Sequence, residues 1–118
     1  MKKFTVAAFV GLTLALAPVA AQAGIGAHLA AAIEHTEEAV SDEVRSDTKE
    51  IVVHLRSALG HAREALHEKA LAANRAANKL IHSAIKHLKK AEARARFGDA
   101  DGAVKHSNAA LADMKKVQ

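Results

Sequence analysis

One short pattern, repeated, limits what this chain can become. Ala32-Ile33-Glu34-His35 leads to Ala39, and Ala58-Leu59-Gly60-His61 leads to Ala65. Ala84-Ile85-Lys86-His87 leads to Ala91, and Ala103-Val104-Lys105-His106 leads to Ala110. The unit is alanine, aliphatic, any residue, histidine, three residues, alanine. The first three copies are spaced by 26 residues (35, 61, 87), and the fourth follows after 19. His28 and His54, also 26 apart, repeat in the same register. The seven-residue step between His28 and His35, or His54 and His61, is two helical turns along one face. Repetition at a fixed period marks a duplicated structural unit, here a helical one.

The first 23 residues stand outside this pattern. Lys2-Lys3 is a basic start, Phe4 to Ala17 is an apolar run, Pro18 interrupts it, and Ala21-Gln22-Ala23 is a small-x-small sequence. Such a stretch is too short for a membrane span and reads as a secretory signal peptide cut after Ala23. An uncleaved anchor is the competing reading. Residues 24–118 then form one small helical domain, exported to the periplasm and with no stable membrane insertion after cleavage. This portion carries 15 basic and 13 acidic residues, a net +2, so the whole-chain pI of about 9.6 overstates its basicity. All eight histidines lie in it, and protonating them all would raise the charge to +10. There is no cysteine, hence neither disulfide nor thiolate ligand, and Met114 is the only methionine after Ala23. Phe97 is the only aromatic there, so stacking platforms for single-stranded nucleic acid are missing and no nucleic-acid partner is expected.

Ala, Leu, Glu, Lys and Arg dominate, and no proline follows Pro18, so residues 24–118 read as helix almost throughout. The first helix is expected from about Gly26 to Ser41, with Leu29, Ile33, Thr36 and Val40 inward. Asp47 is a natural N-cap for the second, with Glu50 completing a capping box. That helix is expected over Thr48 to Ala73, with Val52, Leu55, Leu59, Ala62 and Leu66 inward. Asn74 or Asn78 would cap the third helix, which places Leu80 or Ile81, Ala84, Leu88 and Ala91 inward. A single helix from Thr48 to Phe97 is the alternative there, because no glycine or proline lies between His67 and Arg96. Phe97-Gly98-Asp99 is a stop and restart, with Asp99 or Asp101 as the next cap. The fourth helix covers about Ala100 to Lys116, with Val104, Ser107, Leu111 and Met114 inward. Short connections favour antiparallel neighbours, so the expected fold is all-α, an up-down antiparallel four-helix bundle. Its core is thin in large aliphatic side chains, which predicts marginal stability without a ligand.

In heptad terms His28, His35, His54 and His61 all fall beside the core, separated from it by the repeated alanines. Imidazole is the borderline donor that suits Cu(II), Ni(II) and Zn(II). Histidines seven apart stand about 10 Å apart along a helix, too far for one ion, so ligands must come from different helices or from carboxylates. Glu38 and Glu64, each three residues after a repeat histidine, are the candidate carboxylates. His35 with His54 or His61, and His87 with His106, are the expected cross-helix pairs. His67 and His82 complete the eight candidate histidine ligands. Glu64 and His67 have the spacing of half a di-iron motif, but the second half is missing, so the pairing is read as chance. No phosphate loop, nucleophile elbow or His-Glu-x-x-His zinc motif is present, so an enzyme is not expected.

Ala84-Ile85-Lys86-His87-Leu88-Lys89-Lys90-Ala91 and Gly102-Ala103-Val104-Lys105-His106, with the exported start and the repeat length, resemble the small metal-binding proteins. That family consists of histidine-rich periplasmic four-helix bundles that take up several divalent ions, copper prominently. The resemblance spans nearly all of residues 24–118. It implies metal binding or buffering, Cu(II) favoured and Ni(II) or Zn(II) possible, with His28, His35, His54, His61, His87 and His106 as ligands. This chain carries fewer histidines than the family pattern, with Asn, Lys or Asp in places. The competing function is a helical structural or protein-interaction module of the envelope. Against the usual helical-repeat adaptors, the 26-residue period misses 34.

Overall fold

The structure, a computed structural model, describes residues 26–117. The expected signal peptide and its cleavage point lie outside the described residues. Five helices follow one another among the described residues: α1 (Ala27–Ala39), α2 (Thr48–Ala65), the short α3 (Lys69–Ala73), α4 (Arg75–Arg96) and α5 (Ala100–Lys115). A 3-10 turn, Asp42–Val44, lies between α1 and α2. No strand occurs among the described residues, so the fold is all-helical. None of these helices is long and apolar enough to cross a membrane.

Each boundary has a local cause. Asp47 caps α2 by accepting from the Lys49 and Glu50 amides at 3.1 and 3.2 Å. The expected capping box does not close, because the Asp47 amide donates to the Val44 carbonyl and the Glu50 side chain turns toward His54. Asn74 caps α4 by accepting from the Ala77 amide at 3.0 Å, and Asp99 caps α5 through the Gly102 amide at 2.9 Å. Gly98, at φ +84°, closes α4: its amide bonds the Ala95 carbonyl, and the Asp99 amide bonds the Arg94 carbonyl, both at 2.9 Å. That double closure needs a residue with no Cβ penalty in the left-handed region.

The second helix was expected to reach Ala73, and it does not. α2 ends at Ala65, a turn occupies Leu66 to Glu68, and α3 is a separate short helix ending at Asn74. The continuous helix through Phe97 is excluded by the same two breaks. The break at Glu68 sets its carboxylate against Gly26 at the start of α1, with Oε1 buried and without a hydrogen-bond partner among the described residues. Gly26 has φ +92°, and a Cβ there would collide with that carboxylate.

α1 packs chiefly on α2, α2 on α4, α4 on α5, and α5 returns to α1. His28 meets His61 while His35 meets His54, so residue numbers fall along α2 as they rise along α1; the two are antiparallel. Ser83 with Asp113 and His87 with His106 show the same for α4 and α5. Of the 22 buried apolar residues among those described, 11 are alanine, so the core is thin. Leu29, Ile33, Leu55, Leu59, Ile81, Leu88, Leu111 and Met114 fill it as the apolar spacing predicts, with Thr36 and Ser107 buried among them. Four expected positions are displaced by one residue. Val40, Val52, Leu66 and Val104 are only partly buried, and Ala39, Ile51, Ala65 and Ala103 take the inward places. The buried stripe is thus rotated toward the repeat alanines, whose small side chains allow close helix approach.

Candidate metal centre

All eight alanines of the repeated unit are buried. They form the floor of two seams, α1 against α2 and α4 against α5. The six histidines at repeat positions, His28, His35, His54, His61, His87 and His106, are half-buried along these seams. His67, in the turn after α2, and His82, on α4, are exposed and have no hydrogen-bond or ring partner among the described residues.

On the α1–α2 seam four imidazoles form one row. His28 Nδ1 lies 3.1 Å from His61 Nδ1, with ring centroids 5.3 Å apart. His61 stacks on His35 at 5.5 Å and 6°, and His35 reaches His54 at 6.2 Å. A nitrogen–nitrogen contact of this length requires one ring to donate and the other to present a bare nitrogen, so one of His28 and His61 is neutral. A bare imidazole nitrogen is the form a metal takes. Glu38 Oε1 lies 3.1 Å from both His35 Nδ1 and His54 Nδ1, bridging the two helices. The donor atoms of His35, Glu38 and His54 all lie within 4.8 Å of one another, the only such group of three among the described residues. Ligands of one Zn(II)-sized ion, at bond lengths of about 2 Å, stand roughly 3–4 Å apart, a spacing that donors lying within 4.8 Å of one another would reach with small side-chain rotations.

Glu50, which the sequence reading left out, lies beside the trio. Its Oε2 lies 3.6 Å from His54 Nε2, the ring nitrogen that faces away from Glu38. That separation is longer than a hydrogen bond, so Glu50 stands as a carboxylate neighbour of the His54 ring and does not fix its tautomer. The signal was the four-residue spacing of Glu50 and His54 on one helix face, which the capping reading of Glu50 obscured. Glu64 sits apart. It is exposed and makes no ion pair among the described residues, acting on His61 only by favouring its charged form. Burial outweighs that effect and, with the neighbouring His35 and His28, holds His61 below its ordinary value of 6.5.

On the α4–α5 seam His87 and His106 stand 6.0 Å apart, centroid to centroid. His87 Nδ1 is buried without a hydrogen-bond partner. Burial lowers the His106 pKa, helped by Lys90, His87, Arg94 and Lys105. Glu38 and Glu50 have no counterpart there.

A family model of small metal-binding proteins matches residues 1–117. The chain belongs to the small metal-binding protein family. No curated protein and no solved structure matches it significantly. Within the family framework, the α1–α2 row is the place where this chain's donors converge, and the His35–Glu38–His54 trio supplies two imidazoles and one carboxylate to one point.

Proposed function

We propose that the protein binds and buffers divalent transition-metal ions in the periplasm, Cu(II) foremost and Ni(II) or Zn(II) next. One observation carries the reading: Glu38 on α1 holds His35 of its own helix and His54 of α2 at 3.1 Å each. Two imidazoles with one carboxylate suit borderline ions of this class. The half-exposed, three-donor setting leaves coordination positions open, which favours exchange over tight structural retention. Binding without catalysis is the corresponding reading of membership in a family of small metal-binding proteins. The up-down order of the four long helices belongs to this proposal, supported by the antiparallel α1–α2 and α4–α5 pairs. Export rests on the Lys2-Lys3 start, the apolar run and Ala21-Gln22-Ala23. Periplasmic protein beginning at Gly24 by intact mass is the expected result; full-length chain in the membrane fraction would refute export.

Isothermal titration of the tag-free protein with Cu(II), Ni(II) and Zn(II) tests the metal reading. Saturable binding is expected, tightest for Cu(II). His35→Gln with His54→Gln should abolish the tightest phase, and Glu38→Gln should weaken it roughly 10–100-fold, the range seen when groups supporting a metal site are removed. Undiminished Cu(II) binding by the double variant would overturn the assignment. No saturable binding by any of the three metals would leave the helical interaction module as the better reading.

A further inference from the structure

The α4–α5 seam repeats the scaffold of the α1–α2 seam with its charges inverted. Three residues after the histidine, the first two copies carry Glu38 and Glu64, and the third carries Lys90. One residue before it, the first copy carries Glu34, and the third and fourth carry Lys86 and Lys105. The alanine floor and the histidine pair are kept. His87 and His106 therefore face each other at 6.0 Å over the same kind of floor, but among cations. Beside His106 opens a groove of about 590 Å³ lined by Lys90, Ala93, Arg94, Phe97 and His106, with no carboxylate in its wall.

The nearby acids are otherwise engaged. Asp99 caps α5 and lies 3.7 Å from Arg94. Asp113, one turn from His87 along the seam, accepts from Ser83 Oγ at 2.6 Å. Glu92 pairs with Arg56 at 2.7 Å. Lys90 has no ion-pair partner among the described residues. A divalent cation at His87 and His106 would gain two imidazoles and no negative charge, against the repulsion of Lys90, Arg94 and Lys105. These two residues do not fit the metal that the family implies for them.

We propose that the His87–His106 seam, with Lys90 and Arg94, is a binding site for a small multivalent oxyanion rather than for a divalent metal ion. The arginine fork and the lysine ammonium are the donors that recognise phosphate or carboxylate oxygens. Phe97, 86% exposed and the only aromatic among the described residues, gives the groove one apolar wall. That wall suits the carbon skeleton of a polycarboxylate and offers nothing to inorganic phosphate. The proposal confines the metal reading to the α1–α2 seam, and only the copper arms of its test rest on that reading.

Backbone amide NMR of the protein, titrated with inorganic phosphate and separately with citrate at constant ionic strength, tests it. Saturable shifts are expected at Lys90, Arg94, Phe97 and His106. Lys90→Ala with Arg94→Ala should weaken binding at least about tenfold, as loss of two charge-assisted contacts does. Phe97→Ala weakening citrate alone would identify the carboxylate source, and its leaving both anions unchanged would identify phosphate. In Cu(II) titrations, His87→Gln with His106→Gln should leave the stoichiometry unchanged, while Lys90→Glu should add one equivalent by restoring the carboxylate. Shifts that chloride reproduces at equal ionic strength would overturn the proposal. So would loss of a copper equivalent in the His87→Gln, His106→Gln variant. Failure of the wild-type protein to bind copper at all would instead strike the metal reading and leave the phosphate and citrate arms standing.

Discussion

His61 shows how a single side chain records its surroundings. Burial, then the positive charge of His35 and of His28, hold its pKa below 6.5, against the weaker pull of Glu64. His106 is lowered first by burial and then by Lys90. In the unfolded chain both histidines regain the ordinary value, so below it the unfolded state binds more protons than the folded one. Stability therefore rises with pH in that window and is lost as pH falls from about 6.5 toward the lower folded values. The metal-free protein should show a falling Tm between pH 7 and pH 5, with a flatter slope in His61→Gln. A Tm that is constant or higher at pH 5 in thermal melts would contradict this. At this scale, the sequence announced the histidine register and the buried alanines, because both recur at helical spacing. It concealed which carboxylates matter. Glu38 and Glu64 occupy equivalent positions, and only the cross-helix geometry brings Glu38 to His54 while leaving Glu64 in solvent. Whether a repeat position meets a partner depends on the neighbouring helix, and spacing within one helix carries no information about that.

At the scale of elements, the well-marked ends were legible and the unmarked ones were not. Asp47, Asn74, Asp99 and Gly98 each act in the structure as their residue types suggest, because capping and left-handed closure are local chemistry. The break at Leu66 to Glu68 had no glycine, proline or capping hydroxyl to announce it. Even in the structure, Glu68 caps α3 without a side-chain hydrogen bond. The break sets Glu68 beside Gly26 at the start of α1, a tertiary contact that spacing along one helix does not announce. The 26-residue shift carries the Ser41 to Asp47 connection onto His67 to Ala73, and the repeat was therefore the better guide there than local propensity. Asn74 is the one side chain that caps the restart, through the Ala77 amide at 3.0 Å. Asn74→Ala should cost about 1 kcal/mol of unfolding free energy, the usual loss for an N-cap. Chemical denaturation measures it, and a change under a few tenths of a kcal/mol would mean that packing of α3 and α4 alone sets the boundary.

For the whole molecule, the thin core and the histidine row are parts of one design. With 11 alanines among its 22 buried apolar residues, the bundle gains less from burial than a leucine-rich core of equal size. The small side chains nonetheless let α1 and α2 approach closely enough for His28 to meet His61 and for Glu38 to span both helices. Close approach thus trades apolar stabilisation for convergence of donors, and an ion on the trio would tie α1 to α2 in the native state only. Linkage then fixes the sign and scale of the effect. Free metal at 100 times its Kd adds about 2.7 kcal/mol to the stability of the native state. For a domain of this size each kcal/mol moves Tm by about 4–8 °C, so a rise of roughly 10–20 °C is expected. The rise should grow with the logarithm of free Cu(II) and reverse on chelation. It should vanish in His35→Gln with His54→Gln, because those rings carry the tie between helices. It should persist in His87→Gln with His106→Gln, because that pair sits among cations on the other seam. Thermal melts of the wild-type protein and the two double variants, each with and without Cu(II), decide it. A shift that survives loss of His35 and His54 would place the stabilising ion elsewhere and break the connection between close helix approach and metal binding.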